Sequence, residues 1–430
     1  MKTDKSFLYV SLLFLVAVLL FFAGFIYQEN SAGAGGYYGD FKNTWNNLNT
    51  FINYNIIEAL SLTGSGEIDY YKSSRTPLLY IINALFNPYI YTKSEFILSI
   101  FIFSFSIPIL FFFNLKNNLQ NQDIKNILLI TSFILLSPYF RTSAYWAGEE
   151  NYGLLTSIIS LILLNNIFQF QDSQFKKRLN YTGLIFFSSL CVYFDQKLLI
   201  IPLIVFFSVI FYEKDKIYKY LSLFLFCLLS LPYIYLITIW GGILPSIDSE
   251  RTDSFHPEHI GYVSSILAFY IFPFIFFKKQ KIIELIKSKL ENNFNKYLLI
   301  GFMFYLIYLF YFNEYVAVND GRGIAYKIAN FLTNNFLLQE LFTYFVFLIS
   351  FFVLIIFFDR NFFTYTIVAY FFLISIFFQP IYHEYYDPIF LILIFGFLKK
   401  HDFINLKSLV VYYFYLIFIL VSANYYYQSI

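Results

Sequence analysis

The sequence predicts an all-α, polytopic membrane protein, and three observations carry that prediction. First, 59% of the 430 residues are hydrophobic and only 13% are charged, whereas a soluble globular chain carries about 25% charge. Second, apolar runs close to the ~20 residues that cross a bilayer recur from one end of the chain to the other. Third, cations and acids segregate between alternate loops, as inserted helices require. The net charge of +2 gives no basic balance for a nucleic-acid partner, and none is expected.

Candidate spans fall near 7–27, 95–114, 123–140, 151–169, 181–194, 197–212, 218–240, 261–277, 297–313, 340–358, 362–379, 386–398 and 408–425. About 11–13 transmembrane helices are expected, because 181–194 and 197–212 are short enough to be one broken helix. The first run exceeds the roughly 7–15 residues of a signal-peptide core, so it reads as an uncleaved helix. Cys191 and Cys227 lie inside apolar runs and imply no disulfide framework. The whole chain, 1–430, reads as a single integral membrane domain.

With the N-terminus in the cytoplasm and the spans alternating, twenty of the 29 Lys and Arg fall in inner loops. The nine left outside are Lys42, Lys72, Arg75, Lys93, Arg141, Lys197, Arg251, Arg322 and Lys327. The acids lean outward, and so do the long loops 28–94, 241–260 and 314–339. Loops on a rigid scaffold carry chemistry, so the working face is expected on the outer side of a plasma (inner) membrane. The inner segment 278–296 reads as an amphipathic helix on anionic lipid. No internal repeat of the kind found in transporters is evident.

The first outer loop, 28–94, is expected to hold juxtamembrane interfacial helices and the most chemistry. Asp40 follows Gly33, Gly35, Gly36 and Gly39, which allow a close backbone approach. Its carboxylate suits a base or a divalent-cation ligand, against the alternative of a solvated loop acid. Arg75 and Lys72 precede Pro77, which starts a helix to Phe86 that Thr76 or Ser74 can cap. That helix N-terminus with Arg75 makes a phosphate site, or else an interfacial anchor.

Further candidates follow along the chain. Arg141–Asn151 reads RTSAYWAGEEN and places Glu149 and Glu150 before a span; Glu150, one step deeper, is the stronger candidate. Asp195-Gln196-Lys197 reads as a tight, ion-paired connector. His256 and His259 stand three apart, but Pro257 and the lack of a third clear ligand argue against a metal. Arg322 with Lys327 offers a second phosphate contact, and His383 with Glu384 a ligand contact before the span that follows Pro388. No P-loop, GxSxG or HExxH pattern is present. Without a nucleotide site, an activated substrate has to arrive in the bilayer.

This layout resembles the GT-C superfamily of membrane glycosyltransferases. The matching features are an acid in the first outer loop (Asp40), a proline-started SRTPLLYIINALF segment, a second acid at the mouth of a later span (AYWAGEEN) and a late IYHEYYDPIF segment. A single acid at 40, where many members carry an Asp-Glu pair, is a departure, as is the lack of a large soluble outer domain at the C-terminus. The resemblance implies inverting sugar transfer from a polyprenyl-phosphate donor to a lipid-linked or other glycan acceptor. Asp40 would be the base, with Arg75, Arg322 and Lys327 on the lipid phosphate. Glu149 or Glu150 would orient the acceptor or, with Asp40, a divalent cation such as Mg or Mn. The competing expectations are a Wzy-like polysaccharide polymerase or ligase resting on Arg141, Arg251 and Arg322, and a polysaccharide flippase or transporter.

Overall fold

The computed structural model describes residues 5–31, 41–65, 76–120, 122–169, 174–242, 255–277, 282–312, 323–377, 381, 383–398 and 404–428. Among these the regular structure is helical, without strands. The N-terminal part comprises α1 (Lys5–Ile26), α2 (Phe41–Asn53), α3 (Ile56–Ser65), α4 (Leu78–Phe86), α5 (Lys93–Ser104) and α6 (Ser106–Asn118). Next come α7 (Ile124–Leu136), α8 (Pro138–Tyr145), α9 (Glu150–Gln169), α10 (Gln174–Phe194), α11 (Ile200–Tyr212) and α12 (Lys216–Trp240). The C-terminal part holds α13 (His259–Ile275), α14 (Ile282–Glu291), α15 (Asn293–Phe312), α16 (Gly323–Leu332), α17 (Phe336–Phe357), α18 (Phe362–Ile376), α19 (Ile389–Gly396) and α20 (Leu406–Gln428).

Short polar residues set the helix starts. Thr92 and Glu95 form a capping box at α5, with both reciprocal hydrogen bonds present. Asp123, Ser137, Asp215, Asn335 and Asn361 cap α7, α8, α12, α17 and α18 through side-chain oxygens that accept backbone N–H groups. Gly241, in the left-handed region at φ 72°, ends α12.

Among the described residues, seven helical stretches are long and apolar enough to cross a bilayer: Lys5–Ile26, Lys93–Asn118, Glu150–Phe168, Lys216–Trp240, Asn293–Tyr311, Phe336–Phe357 and Leu406–Tyr427; the bent pair α7–α8 makes eight if it is one span. This is a multi-pass architecture, with fewer full-length spans among the described residues than the 11–13 expected for the chain. Three of the remaining runs, Gln196–Tyr212, His259–Ile275 and Phe362–Ile376, form shorter apolar helices.

Two departures have clear causes. The run at 123–140 bends by 60° between α7 and α8, because the residue before a proline is driven out of the helical region. Ser137 there is extended (φ −66°, ψ 123°) and caps the next helix, with Pro138 in its first turn. The run at 386–398 yields only the eight residues of α19, all buried. At 1.5 Å per residue such a helix spans about 12 Å, well short of a ~30 Å hydrocarbon core. Its last carbonyls are met from α6, Phe395 O by Asn118 Nδ2 at 3.0 Å and Gly396 O by Asn114 Nδ2 at 3.2 Å.

The described helices pack as two compact units. The first is Met1–Ser249 with Asp387–Lys399 and Tyr413–Ile430; the second is Glu250–Tyr386 with Lys400–Tyr412. In the first, α9 packs along α10 and α6, and α1 along α7. In the second, α13 and α17 form the central pair, flanked by α15, α16 and α18.

The bend in the first unit is filled by Arg141, which is 1% exposed. Its Nε and Nη2 donate to the two oxygens of Glu29, the former at 2.8 Å. Nη1 donates to Leu135 O at 3.1 Å and Nη2 also to Leu20 O at 2.9 Å. The arginine thus satisfies a carbonyl in the last turn before the bend and ties it to α1. A Cβ on Gly24 would lie 2.5 Å from Arg141 Nη2 and 2.7 Å from Glu29 Oε2, so only glycine leaves room for the pair.

A second ion pair joins the start of α10 to the α11–α12 link. Glu213 accepts from Tyr181 Oη and from Asp215 N at 2.8 Å, and pairs with Lys177 at 3.1 Å. Burial pushes this carboxyl up, but the hydrogen bonds and the lysine outweigh burial and hold it below the usual 4.5.

Two outcomes follow from these pairs. Arg141→Met strands Glu29 without its counter-charge and lowers stability in detergent by about 3–5 kcal/mol. Thermal unfolding of the double variant with Glu29→Met recovers part of that loss. For Glu213→Gln, the depressed carboxyl means the lost stability is present above the ordinary carboxylate range and disappears as pH falls. The melting temperatures of wild type and variant therefore differ at pH 7 and converge as the pH is taken below 4.5.

Candidate functional site

A polar constellation among the described residues of the first unit stands at the mouth of α9. Tyr145 ends α8, and the chain turns through Trp146-Ala147-Gly148 with Ala147 at φ 53°. A non-glycine residue in the left-handed region costs about 1–2 kcal/mol, and such strain collects where a side chain has to be aimed. Gly148 is needed because a Cβ there would collide with Ser143 Oγ and Glu150 Oε2. The turn delivers Glu149 and Glu150 in succession.

The two carboxylates differ from expectation in depth. Glu149, still in the turn, is 6% exposed, while Glu150, the first residue of α9, is 24% exposed. Glu150 accepts from Ser143 Oγ at 2.9 Å and faces Lys197 Nζ at 3.7 Å. Asp195 lies 3.7 Å from the same ammonium and accepts from Lys197 N at 3.0 Å, capping the short 3₁₀ turn Gln196–Leu199. Asp195–Lys197 is therefore the ion-paired connector the sequence suggests, with the addition that Lys197 bridges to Glu150. Because a cation already faces Glu150, its surroundings do not favour a divalent metal at that carboxylate.

The proline-started segment meets this mouth. α4 runs Leu78–Phe86, and neither Pro77 nor any side chain caps it by a hydrogen bond. The expected cap Thr76 is instead buried, its hydroxyl without a hydrogen-bond partner among the described residues. α4 packs on α2, where Tyr80 stacks on Phe51 at 5.9 Å and accepts from Asn47 Nδ2 at 3.4 Å. Asn83 of α4 accepts from Tyr152 Oη at 3.4 Å, two residues beyond Glu150. Tyr152 is held by stacking on Phe103 at 4.0 Å, and Asn151 beside it donates to Ser104 Oγ at 2.8 Å.

Several predicted residues fall elsewhere. Asp40, Lys72, Arg75, Arg251 and Arg322 lie outside the described residues. Phe41, which follows Asp40, opens α2. In the second unit Lys327 lies on α16, and His383 and Glu384 in the 3₁₀ turn His383–Tyr385. The His383 ring stands edge-on to Phe269 at 6.5 Å. Arg141, one of the cations expected on the outer side, belongs to the buried pair with Glu29.

Sequence reasoning missed the part played by four residues. Lys197 was seen only as a connector. Asn83, inside SRTPLLYIINALF, and Tyr152, just after AYWAGEEN, have no role in either motif and meet through tertiary packing. Glu258 was passed over as a ligand, yet His256, Glu258 and His259 bring one ligand atom each within 4.8 Å of one another. Its adjacency to His259 was the available signal.

The strained turn gives a simple check. Ala147→Gly, which ordinarily costs stability, relieves the left-handed conformation and raises the thermal midpoint in detergent, with no loss of expression. In comparisons with known proteins, no family model, no curated protein and no solved structure matches this chain.

Proposed function

We propose that this protein is an integral membrane glycosyltransferase that moves a sugar from a polyprenyl-phosphate donor to a lipid-linked glycan acceptor at the outer membrane face. The observation that carries the reading is the meeting of α4 with the mouth of α9 through Asn83 and Tyr152. Asn83 lies within SRTPLLYIINALF and Tyr152 directly follows AYWAGEEN, two of the four features that carry the resemblance to GT-C enzymes. The multi-pass helical architecture supports it.

On this reading Asp40 accepts the proton of the acceptor hydroxyl as that oxygen attacks the anomeric carbon. The carbon–oxygen bond to phosphate breaks, and the lipid phosphate leaves as an anion. Lys72 and Arg75, ahead of the N-terminus of α4, stabilise that charge. Glu149 and Glu150 orient the acceptor, with Lys197, 3.7 Å from Glu150, holding that carboxylate in place. α2, α3 and α4 serve as interfacial helices of the first outer loop. No step is routed through a divalent cation.

The polymerase reading needs outer arginines, and Arg141 is buried and already engaged by Glu29 and two carbonyls. A loss of activity on changing Arg141 would therefore report folding. The discriminating variants are Asp40→Asn on one side and Arg251→Ala with Arg322→Ala on the other. The transferase reading expects Asp40→Asn to lower transfer by about 10²–10⁴-fold at unchanged expression and melting temperature. Full activity in Asp40→Asn, together with loss in the arginine variants, overturns it in favour of the polymerase.

A further inference from the structure

Away from the α9 mouth, the second unit holds a cluster that the transferase reading does not use. It forms where the chain enters α13: His256, Glu258 and His259, with ligand-capable atoms all within 4.8 Å. His256 Nδ1 lies 3.1 Å from Glu258 Oε1, and His259 Nε2 lies 3.9 Å from the same oxygen. The two imidazoles stack at 4.7 Å.

Two features set this cluster apart from a chance grouping of polar side chains. His259 Nδ1 donates to Ser375 O at 2.6 Å, which fixes the proton on Nδ1 and presents Nε2 as the lone-pair atom. A carbonyl behind the distal ring nitrogen is the arrangement that orients and strengthens metal-bound histidines. The backbone around the cluster is also tied down. His256 N donates to Ile376 O at 3.0 Å, and Tyr305 Oη donates to Pro257 O at 2.6 Å while accepting from Gly261 N at 3.2 Å. α15 and α18 thus hold the loop from two sides, so two of the ligands start from an ordered backbone.

From this geometry we infer that His256, Glu258 and His259 form a binding site for a divalent transition ion of the zinc class. Two imidazoles and one carboxylate are a borderline donor set, suited to zinc rather than to magnesium, which takes an all-oxygen shell. Ligand atoms on a tetrahedral zinc stand about 3.3 Å apart at the usual bond lengths. The observed spread closes by rotation of the His256 and Glu258 side chains, while His259 stays on Ser375. Three protein ligands leave one position for water or for an oxygen of a bound molecule. Pro257 does not prevent this; it supplies the turn that sets the two rings side by side. The site does not depend on the transferase reading and would stand if that reading failed.

The test uses full-length, tag-free protein in detergent, stripped with chelator and titrated with Zn²⁺ alone or with Mg²⁺ present in large excess. The expected result is one tightly held zinc per chain that magnesium does not displace, and Co²⁺ in its place gives the visible bands of a four-coordinate ion. Glu258→Gln and His256→Ala each weaken zinc binding by more than the ~10–100-fold that follows loss of an outer-shell partner. The melting temperature of uncomplexed Glu258→Gln, whose side chain is partly exposed, shows that the fold is intact. No saturable zinc binding, or equal binding in wild type and both ligand variants, overturns the site and marks the metal as adventitious.

Discussion

The first unit is built around one buried charge. Pro138 breaks the helix that would otherwise run on from α7, and the break leaves carbonyl groups in an apolar interior that has to satisfy them. Arg141 meets that demand and is itself held by Glu29, at the end of the first span. A buried ion pair earns little net stability against a well-packed apolar alternative. What it supplies here is position: α8 is pinned against α1, with Tyr145 Oη donating to Phe21 O at 2.7 Å and Trp146 Nε1 to Glu29 O at 3.2 Å. Ser31 Oγ also donates to Pro138 O at 3.1 Å.

The α9 mouth depends on that pinning. α8 is one side of the turn that aims Glu149 and Glu150, and Ala147 stays left-handed because both flanks are fixed. From α10 the connector at Asp195–Lys197 brings an ammonium to Glu150, and from the first loop α4 brings Asn83 to Tyr152. Chain segments far apart in sequence therefore converge on a few residues at the start of one span. Such convergence keeps the charges at the mouth paired, because isolated charges are expensive to bury.

Much of this was legible in composition and charge. The multi-pass helical class follows from long apolar runs, and several contacts inside each unit join loops that the charge count groups together. Lys125 reaches Ser6 at 3.0 Å, Lys177 reaches Glu213, and Lys289 reaches Asp359 at 2.6 Å, each pair drawn from loops given to the same side. At the opposite ends, Glu29 meets Arg141 and Glu150 meets Lys197. The short helix α19 was not legible, because an apolar run buried in protein looks the same as one facing lipid. Nor was the role of Arg141: an arginine in an outer loop reads as a ligand for anions, and Glu29, its partner across more than a hundred residues, belongs to no motif. Glu258 was in plain view beside His259 but gained weight only from its Oε1, which lies 3.1 Å from His256 Nδ1 and 3.9 Å from His259 Nε2.

The central claim, sugar transfer from a lipid phosphate at the outer face, is tested most directly by turnover. Purified protein reconstituted in liposomes would be given a panel of radiolabelled polyprenyl-phosphate sugars with a lipid-linked glycan extract as acceptor. The account predicts that label from at least one donor moves to the acceptor with inverted anomeric configuration and release of polyprenyl phosphate. Absence of transfer from every donor, with chain-length growth of lipid-linked repeats or flux of label across the bilayer instead, would contradict it.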